Sequence, residues 1–170
     1  MKIVIKNLNI NIYTTSKNLS KDIEQLKEVA CNFNQNKNQT CKLKYKPTTK
    51  AELEELVNNL NINLRDIDTS LITDMSFLFF CSDREDFFGI EKWDVSNVKR
   101  MVSMFCHSEF NQDISNWDTA SVSDMDHMFA YTKFNQDISN WKINKNCWMN
   151  NMFNECPIKE EFKPHKETEE

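Results

Sequence analysis

The side chains best suited to chemistry in this 170-residue chain are its three histidines and six cysteines. Cys106 and His107 are adjacent, and Cys81 lies at the corresponding end of the preceding segment, so thiol and imidazole groups could converge there. Zn²⁺ prefers such ligands, which makes a metal-dependent enzyme one hypothesis. A fourth converging ligand is not evident, and His127 and His165 lie at unrelated positions. We therefore predict no catalytic residue, no metal and no cofactor.

Aspartates form a second set of candidate ligands, because they recur at equivalent positions of a 24-residue repeat. One group is Asp68, Asp94 and Asp118, and the other is Asp113 and Asp137. Stacked carboxylates can bind a hard cation such as Ca²⁺. Lys142 interrupts the first group, however, and the sequence lacks the glycine-rich turns of calcium-binding repeats. We interpret these aspartates as solvated residues that cap turns.

Composition and charge exclude several functional classes. The formal net charge is −5, from 26 acidic residues and 21 Lys or Arg residues without a basic cluster, which argues against a nucleic-acid partner. A single glycine removes the loops that cradle phosphates or approach dinucleotides. No stretch approaches the ~20 apolar residues of a membrane span. The cysteines contain no Cys-x-x-Cys pair, which favours reduced thiols over a zinc ribbon or a redox motif.

The 24-residue repeat organises the second half of the chain. Trp93, Trp117 and Trp141 are evenly spaced, and residues 110–117 and 134–141 both read FNQDISNW. The same frame extends back to Ile67, which gives four units, the first with two extra residues around positions 82–88. Self-similarity at a fixed period is typical of stacked-repeat folds.

The apolar pattern within each unit predicts one short helix and one short strand. Met101, Met104 and Phe105 have the i, i+3, i+4 spacing of a helix with one buried face. The sequence DISNW, at 113–117 and 137–141, places polar residues around single apolar anchors and predicts a short strand. We therefore predict an α/β repeat fold, namely a short leucine-rich-repeat-like solenoid of four strand–helix coils.

Stacking of the coils would align equivalent residues into columns that form the core. The predicted core columns are Met75, Met101, Met125 and Met149, and Phe79, Phe105, Phe129 and Phe153. We interpret the tryptophans as a buried or half-buried ridge rather than a stacking platform for sugars or bases. Two asparagine pairs, Asn111 with Asn135 and Asn116 with Asn140, are interpreted as side-chain ladders that satisfy backbone groups.

The two ends of the solenoid require caps, because a terminal coil would expose its apolar face. Thr49 and Glu52 form a capping box before a helix over residues 50–59. Its predicted inward residues are Leu53, Leu56, Val57 and Leu60. We assign residues 41–66 to the N-terminal cap, 67–156 to the four units, and 157–170 to a C-terminal cap with a frayed tail.

Residues 1–40 are predicted to form a small α/β appendage followed by a polar linker. Alternating apolar residues over positions 2–13 predict either one bulged strand or a tight hairpin. Ser20 is the expected N-cap of a helix that ends at about Phe33. Residues 34–40 lack apolar side chains and are expected to be the linker.

The repeat units resemble a known family. Residues 110–129, which read FNQDISNWDTASVSDMDHMF, are similar to the repeat of the BspA-like, mycoplasma-lipoprotein-type surface-repeat family, a branch related to leucine-rich repeats. The resemblance covers about residues 42–164, including the flanking segments 44–47 and 156–164. It implies a parallel-coil solenoid of a kind found on bacterial surfaces, where members are thought to mediate adhesion or protein binding.

These observations predict a non-enzymatic protein-binding module, with a bacterial surface adhesin as the alternative. The predicted binding residues are His107, Glu109, Asn111, Asp113, Tyr131, Lys133, Asn135 and Asp137. Stacked aspartates repel one another and could recruit a basic partner. Without a signal peptide or lipobox the expected location is the cytoplasm. The adhesin alternative implies surface display and oxidised cysteines, for example a disulfide between Cys31 and Cys41.

Overall fold

A computed structural model describes residues 2–5, 10–13 and 43–166, and the chain divides into two compact parts, residues 1–42 and 43–170. In the first part, strand β1 (Lys2–Ile5) pairs in antiparallel fashion with strand β2 (Ile10–Tyr13). The register places Lys2 opposite Tyr13. Of the two alternatives for this segment, the tight hairpin is therefore confirmed. The predicted helix over 20–33 and the linker over 34–40 lie outside the described residues.

The second part of the chain contains one α-helix among the described residues, α1 (Lys50–Asn58), which has the predicted capping box. The Thr49 side chain accepts a hydrogen bond from the N–H of Glu52, and the Glu52 carboxylate accepts one from the N–H of Thr49. Leu53 and Val57 are buried. Leu60, which was expected to face inward, lies beyond the end of the helix and is 62% exposed.

Neighbouring 24-residue units are joined by single parallel bridges and by backbone hydrogen bonds. The bridges pair Asp74 with Arg100, Arg100 with Asp124, and Asp124 with Trp148. Beside them, the N–H groups of Met75, Phe77, Phe79 and Cys81 donate to the carbonyls of Arg100, Val102, Met104 and Cys106, at 2.8 to 3.0 Å. The same pattern joins the later units. Because every second N–H of residues 75–81 donates to the following repeat, the alternate carbonyls of this first 24-residue repeat have no repeat before them to supply a donor.

This backbone pattern contradicts the predicted strand–helix coils. Residues 43–166 contain one α-helix, three short 3-10 helices (Leu64–Asp66, Ile90–Lys92 and Glu160–Phe162) and no β-strand. Within the segments where short helices were predicted, Ser103 and its equivalent His127 have left-handed φ values of 50° and 58°. An α-helix requires negative φ throughout and N–H bonds to carbonyls four residues earlier, so it cannot form there. The predicted leucine-rich-repeat-like solenoid is therefore wrong.

The predicted DISNW strands are also wrong, because these segments are turns. Asp113 Oδ1 accepts a hydrogen bond from the N–H of Ser115 at 2.9 Å, and the N–H of Trp117 donates to the Ile114 carbonyl at 3.1 Å. The Asp side chain thus occupies a backbone donor that a strand ladder would need.

The phenylalanine column is confirmed as the centre of the core. Phe79, Phe105 and Phe129 are each at most 1% exposed. Their ring centroids are 5.5 and 5.7 Å apart with nearly parallel planes, and Phe153 continues the column at 5.8 Å. Phe110 stacks on Phe105 from the side at 3.7 Å. Stacking at a constant period lets the first three units bury the same large ring against its neighbours, while Phe153 at the end of the column is only partly buried.

The tryptophan ridge is buried, as expected. Trp93, Trp117 and Trp141 are 3 to 4% exposed. Each indole N–H donates to a backbone carbonyl of an earlier segment, Leu64 for Trp93 at 2.8 Å and Ile90 for Trp117 at 3.2 Å. These buried donors are therefore satisfied, and the indoles tie consecutive units together.

The only glycine lies at the start of the 3-10 helix Ile90–Lys92 and has a left-handed φ of 95°. A Cβ atom at Gly89 would lie 2.4 Å from the backbone nitrogen of Arg65. Close approach of two backbones thus requires glycine at this position. None of the helices in the described part of the chain has the length and hydropathy of a transmembrane segment.

Candidate functional site

The structure places the eight predicted binding residues side by side in two adjacent units. We call this set the paired strip, and its four pairs are His107 with Tyr131, Glu109 with Lys133, Asn111 with Asn135, and Asp113 with Asp137. The pairing follows from the period, because members of each pair are 24 residues apart. The strip therefore presents two parallel rows of side chains.

Aromatic rings form one end of the paired strip. The His107 and Tyr131 rings stack with centroids 4.4 Å apart and planes within 6°. Both residues have left-handed backbone, with φ values of 57° and 58°, and both side chains are exposed. The Tyr131 hydroxyl accepts a hydrogen bond from Asn154 at 3.1 Å. This end offers a partner a flat, partly apolar surface.

The middle of the strip contains an ion pair and an amide ladder. Glu109 and Lys133 form an ion pair with both side chains more than half exposed, so its net stabilisation is small and a partner can replace it. Asn111 Oδ1 accepts from the N–H of Asn135 at 2.9 Å, and Asn135 Oδ1 accepts from the N–H of Lys159 at 3.2 Å. The two asparagines thus hold successive segments together, as the ladder interpretation predicted.

Two carboxylates form the other end of the strip. Asp113 and Asp137 line an open pocket of about 300 Å³ together with Ser115 and Ser139. Asp137 Oδ1 accepts hydrogen bonds from the N–H and the hydroxyl of Ser139, at 3.0 and 2.7 Å, and these bonds hold the pKa of Asp137 below its usual range. Among the described residues, nothing donates to Oδ2 of either aspartate. The free oxygens can accept donors from a partner.

The aspartates of the other group cap turns, as the sequence suggested. Asp68, Asp94 and Asp118 each accept a hydrogen bond through Oδ1 from the backbone N–H two residues later, at 3.0 to 3.2 Å. This explains the recurrence of the residue without a cation.

The cysteine and histidine candidates are not assembled into a metal centre. Cys81 is exposed and its N–H donates to the carbonyl of Cys106 at 3.0 Å. Cys106 is buried, and its burial, with a smaller contribution from Cys81, raises the pKa of its thiol. His107 stacks on Tyr131 instead of approaching a thiol. Nowhere in the described residues do three or more His, Cys, Asp or Glu side chains meet in a geometry that could hold a metal.

Sequence reasoning missed a second pocket, which lies between α1 and the first 24-residue repeat. We call it the α1 pocket; it has a volume of about 440 Å³ and is lined by Glu54, Asn58, Leu60, Phe77, Leu78, Phe80, Cys81, Ser82 and Asp83. The available sequence signal was an apolar Phe77 at a repeat position where later units have the polar residues Ser103 and His127. In the structure the Phe77 side chain is exposed. The pocket adjoins the paired strip, because the Phe80 ring contacts His107 edge-on at 6.3 Å.

Comparison with known protein families finds one family that matches most of the chain. Residues 48–164 match the family described as "Mycoplasma protein of unknown function, DUF285", and the match covers more than half of the chain. The chain therefore belongs to this family, which supports the mycoplasma part of the resemblance. No curated protein and no solved structure matches the chain.

Proposed function

We propose that the chain is a non-enzymatic protein-binding module that holds its partner along the paired strip. The observation that supports this proposal is the alignment of four residue pairs in two successive units, most of them exposed. The large apolar residues of the same units are meanwhile buried in the core. An ordered surface of this kind can bind an extended segment of another protein.

The chemistry of the strip favours a basic partner. Asp113 and Asp137 present unused carboxylate oxygens, and the chain as a whole carries a formal charge of −5. Charge-assisted hydrogen bonds to such oxygens are stronger than neutral ones. An apolar side chain of the partner would lie on the His107–Tyr131 stack at the opposite end.

Charge-neutral variants of the strip test this proposal. Asp113→Asn with Asp137→Asn keeps the side-chain oxygen that accepts from the turn N–H but removes the charge. The matched control is Asp94→Asn with Asp118→Asn, which changes two turn-capping aspartates outside the strip. On an array of short synthetic peptides of graded charge, we expect the wild type and the control to bind basic peptides. The strip variant should lose about tenfold or more in affinity. Equal binding by both double variants would contradict the proposal.

Surface display is the second proposal, with the chain acting as an adhesin that contacts host or neighbouring cells. It is supported by the resemblance to BspA-like surface repeats and by membership of a mycoplasma family. Protease treatment of intact source cells, followed by mass spectrometry, tests it against a cytosolic marker protein. Release of peptides from residues 84–133 without the marker would favour the adhesin. Their confinement to the lysate would favour a cytoplasmic binding module.

A further inference from the structure

The α1 pocket is rich in hydrogen-bond acceptors. Its lining includes Glu54 and Asp83, whose side chains are carboxylates, and Asn58, whose side chain carries an amide carbonyl. Leu78 and Phe80 also line the pocket. The equivalent carbonyls of the next unit, those of Met104 and Cys106, accept hydrogen bonds from the N–H groups of Phe79 and Cys81, whereas no repeat unit precedes Leu78 and Phe80 to supply such donors. Within residues 43–166, no donor bonds to the backbone carbonyl of Leu78 or Phe80. The pocket is thus suited to a group with several N–H donors.

The walls of the pocket are aromatic. Phe77 and Phe80 are 52% and 46% exposed, and their rings meet edge to face with centroids 5.9 Å apart. Large aromatic side chains are normally buried, and this same chain buries Phe79 between them. Two half-exposed aromatic rings beside carboxylate side chains form an environment that attracts cations.

A lysine of the protein itself, Lys50, already places its cation beside one of these rings and one of these carboxylates. The ammonium of Lys50 lies 5.9 Å from the centroid of the Phe77 ring and 3.6 Å from the carboxylate of Glu54. The Lys50–Glu54 pair is partly exposed on both sides, so an incoming cation can displace it at little cost. The Asp83 carboxylate has no ion-pair partner among the described residues.

We propose that the α1 pocket binds an arginine side chain of a partner protein. The planar guanidinium stacks on aromatic faces and has five N–H donors, which suit a pocket whose lining includes two carboxylate residues and two exposed phenylalanines. Lysine offers three donors on a compact ammonium and cannot stack in this way, so it binds more weakly. This site is additional to the paired strip and does not use Asp113 or Asp137.

The probe for this site is acetyl-arginine amide, titrated into the full-length protein and followed by NMR of the aromatic side chains. We expect saturable shifts of the Phe77 and Phe80 resonances. Acetyl-citrulline amide has the same shape without the charge and should bind at least about tenfold more weakly, because it lacks the charge-assisted bonds. Acetyl-lysine amide should fall between the two. Equal binding of the arginine and citrulline probes, or no shift with the arginine probe, would overturn the proposal.

Three variants locate the binding site. Glu54→Gln and Asp83→Asn should each weaken the arginine probe about tenfold, whereas Glu55→Gln, on the same helix but outside the pocket, should leave it unchanged. Lys50→Met removes the competing cation and should strengthen binding about two- to fivefold, an effect that structural damage would not produce. An unchanged affinity in both Glu54→Gln and Asp83→Asn would overturn the assignment. The Asp113→Asn, Asp137→Asn protein should bind the probe normally, which separates this test from that of the paired strip.

Discussion

The guanidinium of Arg84 is hydrogen-bonded to the carbonyl of Val57, through Nη2 at 2.9 Å and Nε at 3.3 Å. It also donates to the carbonyls of Asn59 and Asp86. Val57 lies in the last turn of α1, where carbonyls have no partner within the helix. A buried cation from the first 24-residue unit thus satisfies the C-terminal end of the capping helix and interacts favourably with the helix dipole.

Arg84→Met should strongly destabilise the protein. Burial lowers the pKa of the guanidinium, with Asp86 opposing the shift, but an arginine stays protonated at neutral pH. Its removal leaves three carbonyls without this donor, at a cost of about 2–4 kcal/mol in the free energy of unfolding. Urea denaturation measures this cost. Arg100→Met is the control, because the Arg100 side chain is exposed and its ion pair with Asp74 is long, at 3.9 Å. Such a pair contributes little, so the free energy of unfolding should change by no more than about 0.5 kcal/mol. Equal losses in the two variants would refute the role given to Arg84.

The aromatic column predicts a gradient of mutational effects. Phe105→Ala and Phe129→Ala should each reduce the free energy of unfolding by about 3–5 kcal/mol, because both rings are fully buried between neighbours. Phe162 is only partly buried near the C-terminal end, so Phe162→Ala should cost less. Thermal and urea unfolding measure the differences. Similar losses at all three positions would contradict the column as the centre of the core.

The phenylalanine column was predictable because it depends on side-chain identity at a fixed period. The capping helix was predictable because its start depends on local hydrogen bonds. Phe79, Phe105 and Phe129 recur in register, so any parallel stacking of the units would superimpose them. Thr49 and Glu52 define the start of α1 through local hydrogen bonds. The pairing within the strip follows from the same period.

The backbone path within each unit was not predictable by the same reasoning. Met101, Met104 and Phe105 have helical spacing, yet the intervening Ser103 is left-handed. Left-handed positions are normally recognised by glycine or asparagine, and here Phe77, His107 and Tyr131 occupy them. The hydrogen bonds between units outweigh the local preference of these residues. The pattern of core residues did not reveal the α1 pocket, because Phe77 stands at a position that is polar in the later units, where Ser103 and His127 occupy it.

Two substitutions at left-handed positions should differ in their effect on stability, one being strongly destabilising and the other nearly neutral. Gly89→Ala places a Cβ atom 2.4 Å from the nitrogen of Arg65 and adds strain at a φ of 95°, so it should destabilise the fold by at least about 2 kcal/mol. Glu155→Gly relieves a left-handed residue at a φ of 52° on the exposed surface. There the gain of about 1 kcal/mol roughly offsets the entropy that glycine loses on folding. Chemical denaturation of the two variants checks the contrast, and a large loss in Glu155→Gly would argue against it.

Cys147 predicts a loss of stability at high pH. Its thiol is 1% exposed, and burial raises its pKa from the ordinary value of 9.0 to about 11. The unfolded thiol therefore ionises first as the pH rises. Its contribution is complete below pH 9.0 and is lost progressively up to about pH 11, where the folded thiol also ionises, for a total of about 2–3 kcal/mol. The wild-type free energy of unfolding should fall more steeply over this interval than that of Cys147→Ala, which lacks the titrating group.

Native alkylation gives an independent check, since iodoacetamide at pH 8 should label the exposed Cys81 well before Cys147. Parallel pH profiles for the two proteins, or equal labelling rates at the two cysteines, would show that the thiol of Cys147 is not protected in the folded state.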